Sequence, residues 1–147
     1  MTPRPRKATK VFVDTTAWLA LANKSDALHR EAADLHQDLL AGGTQYITTD
    51  HVLTEVANGL ARPPYRHGVI RFLDAIFSSK RVTIVSVDRD RFKRGWQLYK
   101  RRPDKEWGLT DCISFTLMDD ERIREAFTAD HHFQQAGYRR LLKPRRP

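Results

Sequence analysis

Short apolar runs alternate with amphipathic stretches along this chain, and this alternation constrains the fold more than any other feature. Strands are predicted at residues 11–13, 46–48, 82–87 and 126–129, with a weaker one at 138–142. A helix is predicted directly after Asp14, and further helices at 27–41, 50–62, around 69–77, 88–102 and 109–119. Strands that alternate with helices favour an α/β fold in which helices cover both faces of a mostly parallel sheet of four or five strands.

Length and cysteine content narrow the class of protein. A chain of 147 residues with 40% hydrophobic residues is expected to form one domain. No apolar run approaches the length of a membrane span, and no apolar core follows the basic first residues, so we expect a cytoplasmic protein without a membrane partner. The single cysteine, Cys112, excludes an internal disulfide and a thiolate zinc cluster.

The positive charge is concentrated at the two ends of the sequence. Residues 1–10 carry four cations and residues 139–147 carry five, and neither stretch contains an acid. Subtracting these nine from 26 leaves 17 cations against 18 acids for residues 11–138. We therefore divide the chain into a basic extension at 1–9, a domain at 10–142 and a basic tail at 143–147. The ends can hold an anionic polymer, or they can be solvated tails that aid solubility.

Four carboxylates are predicted to converge at one edge of the sheet. Ligands of open α/β sheets bind outside the carboxyl ends of the strands. Asp14 and Asp130 each follow a predicted strand, and Asp111 lies in the first turn of the 109–119 helix. Glu55 lies on the helix after the 46–48 strand, at the edge of its apolar stripe.

Each of these acids also has a purely structural explanation. Asp14 and Asp130 can cap helices or turns, Asp111 is favourable against a helix dipole, and Glu55 can be a solvated helix residue. Several carboxylates at one buried edge would nevertheless raise each other's pKa, and a fold tolerates that only with a cation present. A set of carboxylate oxygens, with few histidines at the corresponding positions, is the kind of ligand set that suits Mg²⁺ or Mn²⁺.

Four segments resemble the acidic blocks of the PIN-domain family, in the same order and in the same strand or helix context. They are VFVDTTAWLAL, LTEVANGL, LTDCISFTLM and AFTADHHFQQAGY. Within the family the resemblance is greatest to the toxins of VapBC toxin–antitoxin pairs, and it extends over residues 10–142. It implies the three-layer α/β/α PIN fold, with Asp14, Glu55, Asp111 and Asp130 at the acidic positions.

The resemblance implies a metal-dependent endoribonuclease whose products carry a 5′-phosphate and a 3′-hydroxyl. Asp14 and Asp111 would hold the principal Mg²⁺ or Mn²⁺, and Asp130 would complete its shell or hold a second ion. Glu55 would orient or deprotonate the attacking water. The family also implies an RNA substrate, an antitoxin that covers the acidic groove, and a homodimer.

Three hydroxyl residues accompany the acids in the family pattern. Thr15 and Thr110 take the positions beside two of the acids, and Thr128 matches the small polar residue two places before the last acid. The resemblance implies that these hydroxyls orient the carboxylates or the metal-bound waters.

Three alternative functions stay open at this point. His51, His131 and His132 could support a metal-free nuclease that uses imidazoles as acid and base. The sequence Asp14-Thr15-Thr16 is similar to the nucleophile motif of haloacid-dehalogenase phosphatases, although that motif requires a second acid where Thr16 stands. A non-catalytic PIN-like module that binds RNA or protein would have lost an acid, and none is missing.

Residues 88–105 carry eight cations together with Phe92, Trp96 and Tyr99. The spacing of these aromatic residues, four and three, predicts that they form the core face of a helix, as we also expect for Trp18. The cations Arg91, Arg94 and Arg101 are then candidates for phosphate contacts. Trp107 could stack on a base or simply cover the edge of the sheet, and the Asp119–Asp120 pair is predicted to be solvated surface.

Overall fold

The computed structural model describes residues 9–143, and a five-stranded parallel sheet forms its centre. The strands are β1 (Lys10–Val13), β2 (Gln45–Thr49), β3 (Val82–Val85), β4 (Glu125–Phe127) and β5 (Arg139–Arg140). Their order is β3-β2-β1-β4-β5, and every neighbouring pair is parallel. The predicted architecture is therefore confirmed. Most of the basic extension and tail, including Arg4, Arg6, Lys7, Arg145 and Arg146, lies outside the described residues.

Seven helices flank the sheet within the described residues. They are α1 (Thr15–Ala22), α2 (His29–Ala41), α3 (Asp50–Gly59), α4 (Pro63–Ser78), α5 (Arg89–Arg101), α6 (Leu109–Asp120) and α7 (His131–Gln135). The chain moves outward from β1 to β3 on one side and from β4 to β5 on the other, and right-handed crossovers then put α1–α4 on one face and α5–α7 on the opposite face. In agreement, α1 contacts α2, α3 and α4, whereas α6 contacts α5 and α7.

The helix predicted at 50–62, which Pro63 and Pro64 would end from the sequence, stops earlier, and the two prolines begin the next helix instead. α3 ends at Gly59, and the two prolines occupy the first turn of α4. A proline is tolerated there because the first amide groups of a helix have no intrahelical acceptor.

Among the helices of residues 9–143, none combines the length and the hydrophobicity that a membrane span requires.

The central strand β1 is covered by aromatic side chains on both faces. On one face Trp18, 3% exposed, packs edge-on against Tyr46 and Phe72, which confirms its predicted place in the core. On the other face Phe12 stacks on Phe133 at 6.1 Å. Burial on both sides fixes the strand, and with it the position of the residue that follows it.

The prediction that Phe92, Trp96 and Tyr99 belong to the core is wrong. Each of the three side chains is 43% exposed. α5 packs against α6 through Gly95, where an added Cβ would lie 3.2 Å from the backbone Cα and N of Ile113. The close approach at glycine turns the aromatic face of α5 toward solvent.

Candidate active site

Asp14 is a buried carboxylate at the end of the central strand, 3% exposed. Its backbone N–H donates to the carbonyl of Phe127 at 3.1 Å, so the ends of β1 and β4 are held together. Asp14 occupies the N-cap position of α1, but its side chain makes no capping hydrogen bond. Instead its Oδ2 accepts from Thr128 Oγ1 at 3.0 Å. Helix capping therefore does not account for this carboxylate.

The segment after β4 is tied to the start of α1 through hydroxyl groups. Thr128 Oγ1 also accepts from the backbone N–H of Asp130 at 3.0 Å, and Thr16 Oγ1 lies 3.0 Å from it. The N–H of Ala129 donates to Thr16 Oγ1 at 2.9 Å. These bonds hold Asp130 beside the end of β1. Sequence reasoning missed this role of Thr16, because only the fold brings it against Thr128.

Glu55 is linked to α1 across the gap between two helices. It lies exposed on α3, where its Oε2 accepts from Thr15 Oγ1 at 2.8 Å. Thr15 directly follows Asp14, so this bond brings the carboxylate of Glu55 to the same edge of the sheet.

Asp111 and Asp130 share a histidine neighbour. Asp111 Oδ2 accepts from the N–H of Gly108 at 3.1 Å and lies 3.1 Å from His132 Nδ1. The same ring nitrogen lies 3.3 Å from Asp130 Oδ1, which also accepts from the backbone N–H of His132. Side-chain donor atoms of Asp130, His131 and His132 lie within 4.8 Å of one another, a grouping that could hold a metal ion. The sequence predicted histidine chemistry only as a rival mechanism and did not anticipate this bridge.

The three aspartates also interact electrostatically. Burial, and after it the charges of Asp111 and Asp130, raise the pKa of Asp14 to about 7, against the lowering effect of its hydrogen bonds with Thr15 and Thr128. Burial and Asp130 also raise the pKa of Asp111, against the opposing effect of Gly108 N–H and His132. Between residues 9 and 143, no lysine or arginine forms an ion pair with any of the three. A divalent cation would relieve this concentration of negative charge, so the donor set fits one.

The arginines proposed as phosphate contacts differ in their availability. Arg94 binds Asp120 through two hydrogen bonds of 2.6 and 2.8 Å, and Arg91 contacts the same carboxylate at 3.1 Å. Both guanidinium groups are therefore engaged at the far end of α6, which argues against a phosphate contact for either. Arg101 is exposed and forms no ion pair with the described residues.

The other predicted site residues also have defined environments. Trp107, 6% exposed, donates from Nε1 to Gln135 Oε1 at 3.1 Å and packs edge-on against Phe115, so it belongs to the interior and does not offer a stacking surface. Thr110 accepts from Ser114 Oγ through its backbone carbonyl. Asp119 and Asp120 are exposed, as predicted, although both have hydrogen-bonding partners.

A cavity of about 400 Å³ lies elsewhere, under the α1–α4 layer, and none of the four acids lines it. Its walls include Trp18, Tyr46 and Phe72. This cavity is therefore separate from the candidate site.

The sequence and the fold have known relatives. The family model for the PIN domain matches residues 11–137. The 23S rRNA-specific endonuclease VapC20 of two Mycobacterium tuberculosis strains is 30% identical over 128 residues, which cover 87% of this chain and 95% of the relative. The crystal structure of M. tuberculosis VapC20, described as a sarcin-ricin loop cleaving toxin, matches with a TM-score of 0.76 at 30% identity, over 87% of this chain and 95% of VapC20.

A second solved structure supports the fold alone. VapBC2 from Rickettsia felis, bound to a DNA fragment from its promoter, matches with a TM-score of 0.64 at 16% identity, over 87% of this chain and 93% of that chain. The family model over residues 11–137 and the 30% identity to VapC20 establish that this chain belongs to the PIN-domain family, among relatives of the VapC type.

Proposed function

We propose that this chain is a metal-dependent endoribonuclease of the VapC type and the toxin of a toxin–antitoxin pair. The observation that carries the proposal is the grouping of buried Asp14 with Asp111 and Asp130, without a lysine or arginine partner in the described part of the chain. The relationship to an rRNA endonuclease supports RNA as the substrate.

Mg²⁺ or Mn²⁺ would be held by Asp14, Asp111 and Asp130, since carboxylate oxygens are the donors these ions prefer. When bound, the ion supplies an activated water and charge relief on the phosphate. Thr128 fixes the orientation of Asp14, and the N–H of Gly108 does the same for Asp111. These contacts position the carboxylates before the ion arrives, which lowers the cost of binding it.

Glu55 acts on the attacking water, which it orients or deprotonates. It is the most exposed of the four acids, and Thr15 holds it by a hydrogen bond of 2.8 Å. Attack by water on the phosphorus would leave a 5′-phosphate and a 3′-hydroxyl. A cognate antitoxin covering the acidic groove and a pairing of two copies complete the proposal, and both rest on family membership.

Cleavage of a total-RNA pool tests the proposal. Protein freed of any bound inhibitor should cut RNA with Mg²⁺ or Mn²⁺ and should not cut it in EDTA. Asp111→Asn should lower the cleavage rate by orders of magnitude, because it removes one charged ligand while keeping size and hydrogen bonding. Asp120→Asn is the matched control on the same helix and should cleave at the wild-type rate.

Two outcomes would contradict the proposal in different ways. Wild-type protein that cuts no RNA with Mn²⁺ present would leave only the PIN fold and favour a binding module. Cleavage that survives both EDTA and Asp111→Asn would indicate a metal-free mechanism, with His132 as its first candidate.

A further inference from the structure

The solvent face of α5 carries a row of aromatic side chains. Phe92, Trp96 and Tyr99 follow i, i+4, i+7 spacing, so they share one face of the helix, and each is 43% exposed. The rings of Trp96 and Tyr99 are stacked, with centroids 5.3 Å apart and planes inclined by 13°. A stacked pair leaves its outer ring faces open to a third flat group.

Positive charge without an ion-pair partner lies on the same face. At about 100° per residue, Arg89, Lys93 and Lys100 fall within about 60° of Trp96 on the helical wheel. All three are exposed, and none forms an ion pair within the described residues, unlike Arg91 and Arg94 on the opposite side of the helix.

Both ends of the aromatic row reach the elements that carry the acids. The ring of Phe92 packs edge-on against the ring of His51 on α3, with the two ring centroids 6.2 Å apart. His51 lies one helical turn before Glu55. At the other end Tyr99 lines a cavity of about 270 Å³ together with Cys112, which directly follows Asp111. The row therefore runs between the helix of Glu55 and the first turn of the helix of Asp111.

We propose that this face of α5 is a stacking platform for unpaired nucleotides of the substrate RNA, next to the phosphate that is cut. The inference rests on the proposed function and adds how the substrate is held. Aromatic rings stack on bases of any sequence, and neighbouring cations bind the phosphates between them. The platform selects single-stranded RNA, because bases within a duplex have no open face to stack on.

A second copy of this chain fits the face less well. An isologous contact would place the same surface against itself and bring Arg89, Lys93 and Lys100 of both copies together. Like charges at a contact are strongly unfavourable, whereas a polyanion neutralises them.

Binding of single-stranded RNA tests the platform without requiring cleavage. The measurement uses a fluorescent oligoribonucleotide, the Asp111→Asn protein as background, and an oligomer of equal charge that lacks bases. Trp96→Ala and Tyr99→Ala should each weaken RNA binding by roughly 5- to 100-fold, the equivalent of one stacked base. Affinity for the baseless oligomer should stay unchanged. Trp96→Phe should retain most of the RNA affinity.

Charge variants separate stacking from phosphate binding. Lys93→Gln should weaken binding of both oligomers and lower the slope of log K against log salt by about 0.7, the value for one phosphate contact on a single strand. Phe77→Ala removes an aromatic side chain that is 59% exposed on α4 and should change neither affinity. Because all of these side chains are exposed, thermal unfolding of the variants should match the parent protein.

The possible outcomes separate this inference from the proposed function. Wild-type protein that cleaves RNA while Trp96→Ala and Tyr99→Ala bind RNA normally would overturn the platform and leave the nuclease intact. RNA binding that depends on Trp96, in a protein that never cleaves RNA, would support the platform and overturn the nuclease. A dimer that Trp96→Ala converts to monomers in light scattering, with unchanged RNA affinity, would assign the face to a second copy.

Discussion

Hydroxyl groups order the carboxylates at the scale of single residues. Thr128 has one hydroxyl proton and donates it to Asp14, so Thr16 must donate to Thr128. This chain of hydrogen bonds favours the charged form of Asp14, against the burial that raises its pKa. Thr15 donates a hydrogen bond to Glu55 Oε2 and so holds that carboxylate in place. We infer that the site is oriented before any ion or substrate binds.

Thr15→Val tests this orientation at the exposed acid. Valine has nearly the same shape as threonine but cannot donate to Glu55, so the carboxylate should lose its fixed position. The rate of RNA cleavage should fall by about 10- to 100-fold, the usual cost of losing such a supporting contact. Thr15→Ser should restore it, and the stabilisation by Mn²⁺ should be the same in all three proteins. A Thr15→Val enzyme as fast as wild type would show that Glu55 needs no support.

Single residues also show what the sequence could not predict at the site. Asp14 and Asp130 were found because each follows an apolar strand, a local pattern. The bridging place of His132 depends on the approach of α6 to α7, and that of Thr16 on the approach of α1 to the segment after β4. Such contacts join residues that are distant in sequence, so no local pattern could indicate them.

At the scale of elements, periodicity identified α5 but gave the wrong buried face. The spacing of Phe92, Trp96 and Tyr99 correctly placed them on one side of the helix. It could not show that Gly95 forms the contact with α6, because a small residue carries no hydrophobic signal. The bounds predicted for the strands, in contrast, agree with the structure to within about two residues, since their apolar runs are bounded by polar residues.

Gly95→Ala should destabilise the protein, although alanine forms helices better than glycine by about 1 kcal/mol. The new methyl group would press on Ile113 and force α5 away from α6, which costs about 1–3 kcal/mol and outweighs the gain. Gly68→Ala on α4 is the matched control, because nothing lies within 4 Å of its added Cβ. It should stabilise the protein slightly. Urea unfolding measures both effects, and equal midpoints for the two variants would refute the close approach.

At the scale of the whole molecule, the repulsion between the carboxylates at the site lowers the stability of the fold. Buried Asp14 faces two other aspartates, and a bound divalent ion would stabilise only the folded state. Millimolar Mg²⁺ or Mn²⁺ should therefore raise the melting temperature. Asp14→Asn should melt higher than wild type in EDTA, because it removes the buried charge, and it should gain less from the ion. No shift in the wild-type protein would argue against a preformed metal site.

The strand order also has a consequence for the timing of synthesis. β1 is made first but lies in the middle of the sheet, and the hydroxyl that holds Asp14 comes from Thr128, 114 residues later. A chain still being translated therefore lacks the assembled acids until β4 has left the ribosome and paired with β1. Fragments released before that point would carry Asp14 and Glu55 without Asp130. An incomplete chain therefore cannot act as a nuclease on the ribosome that is making it.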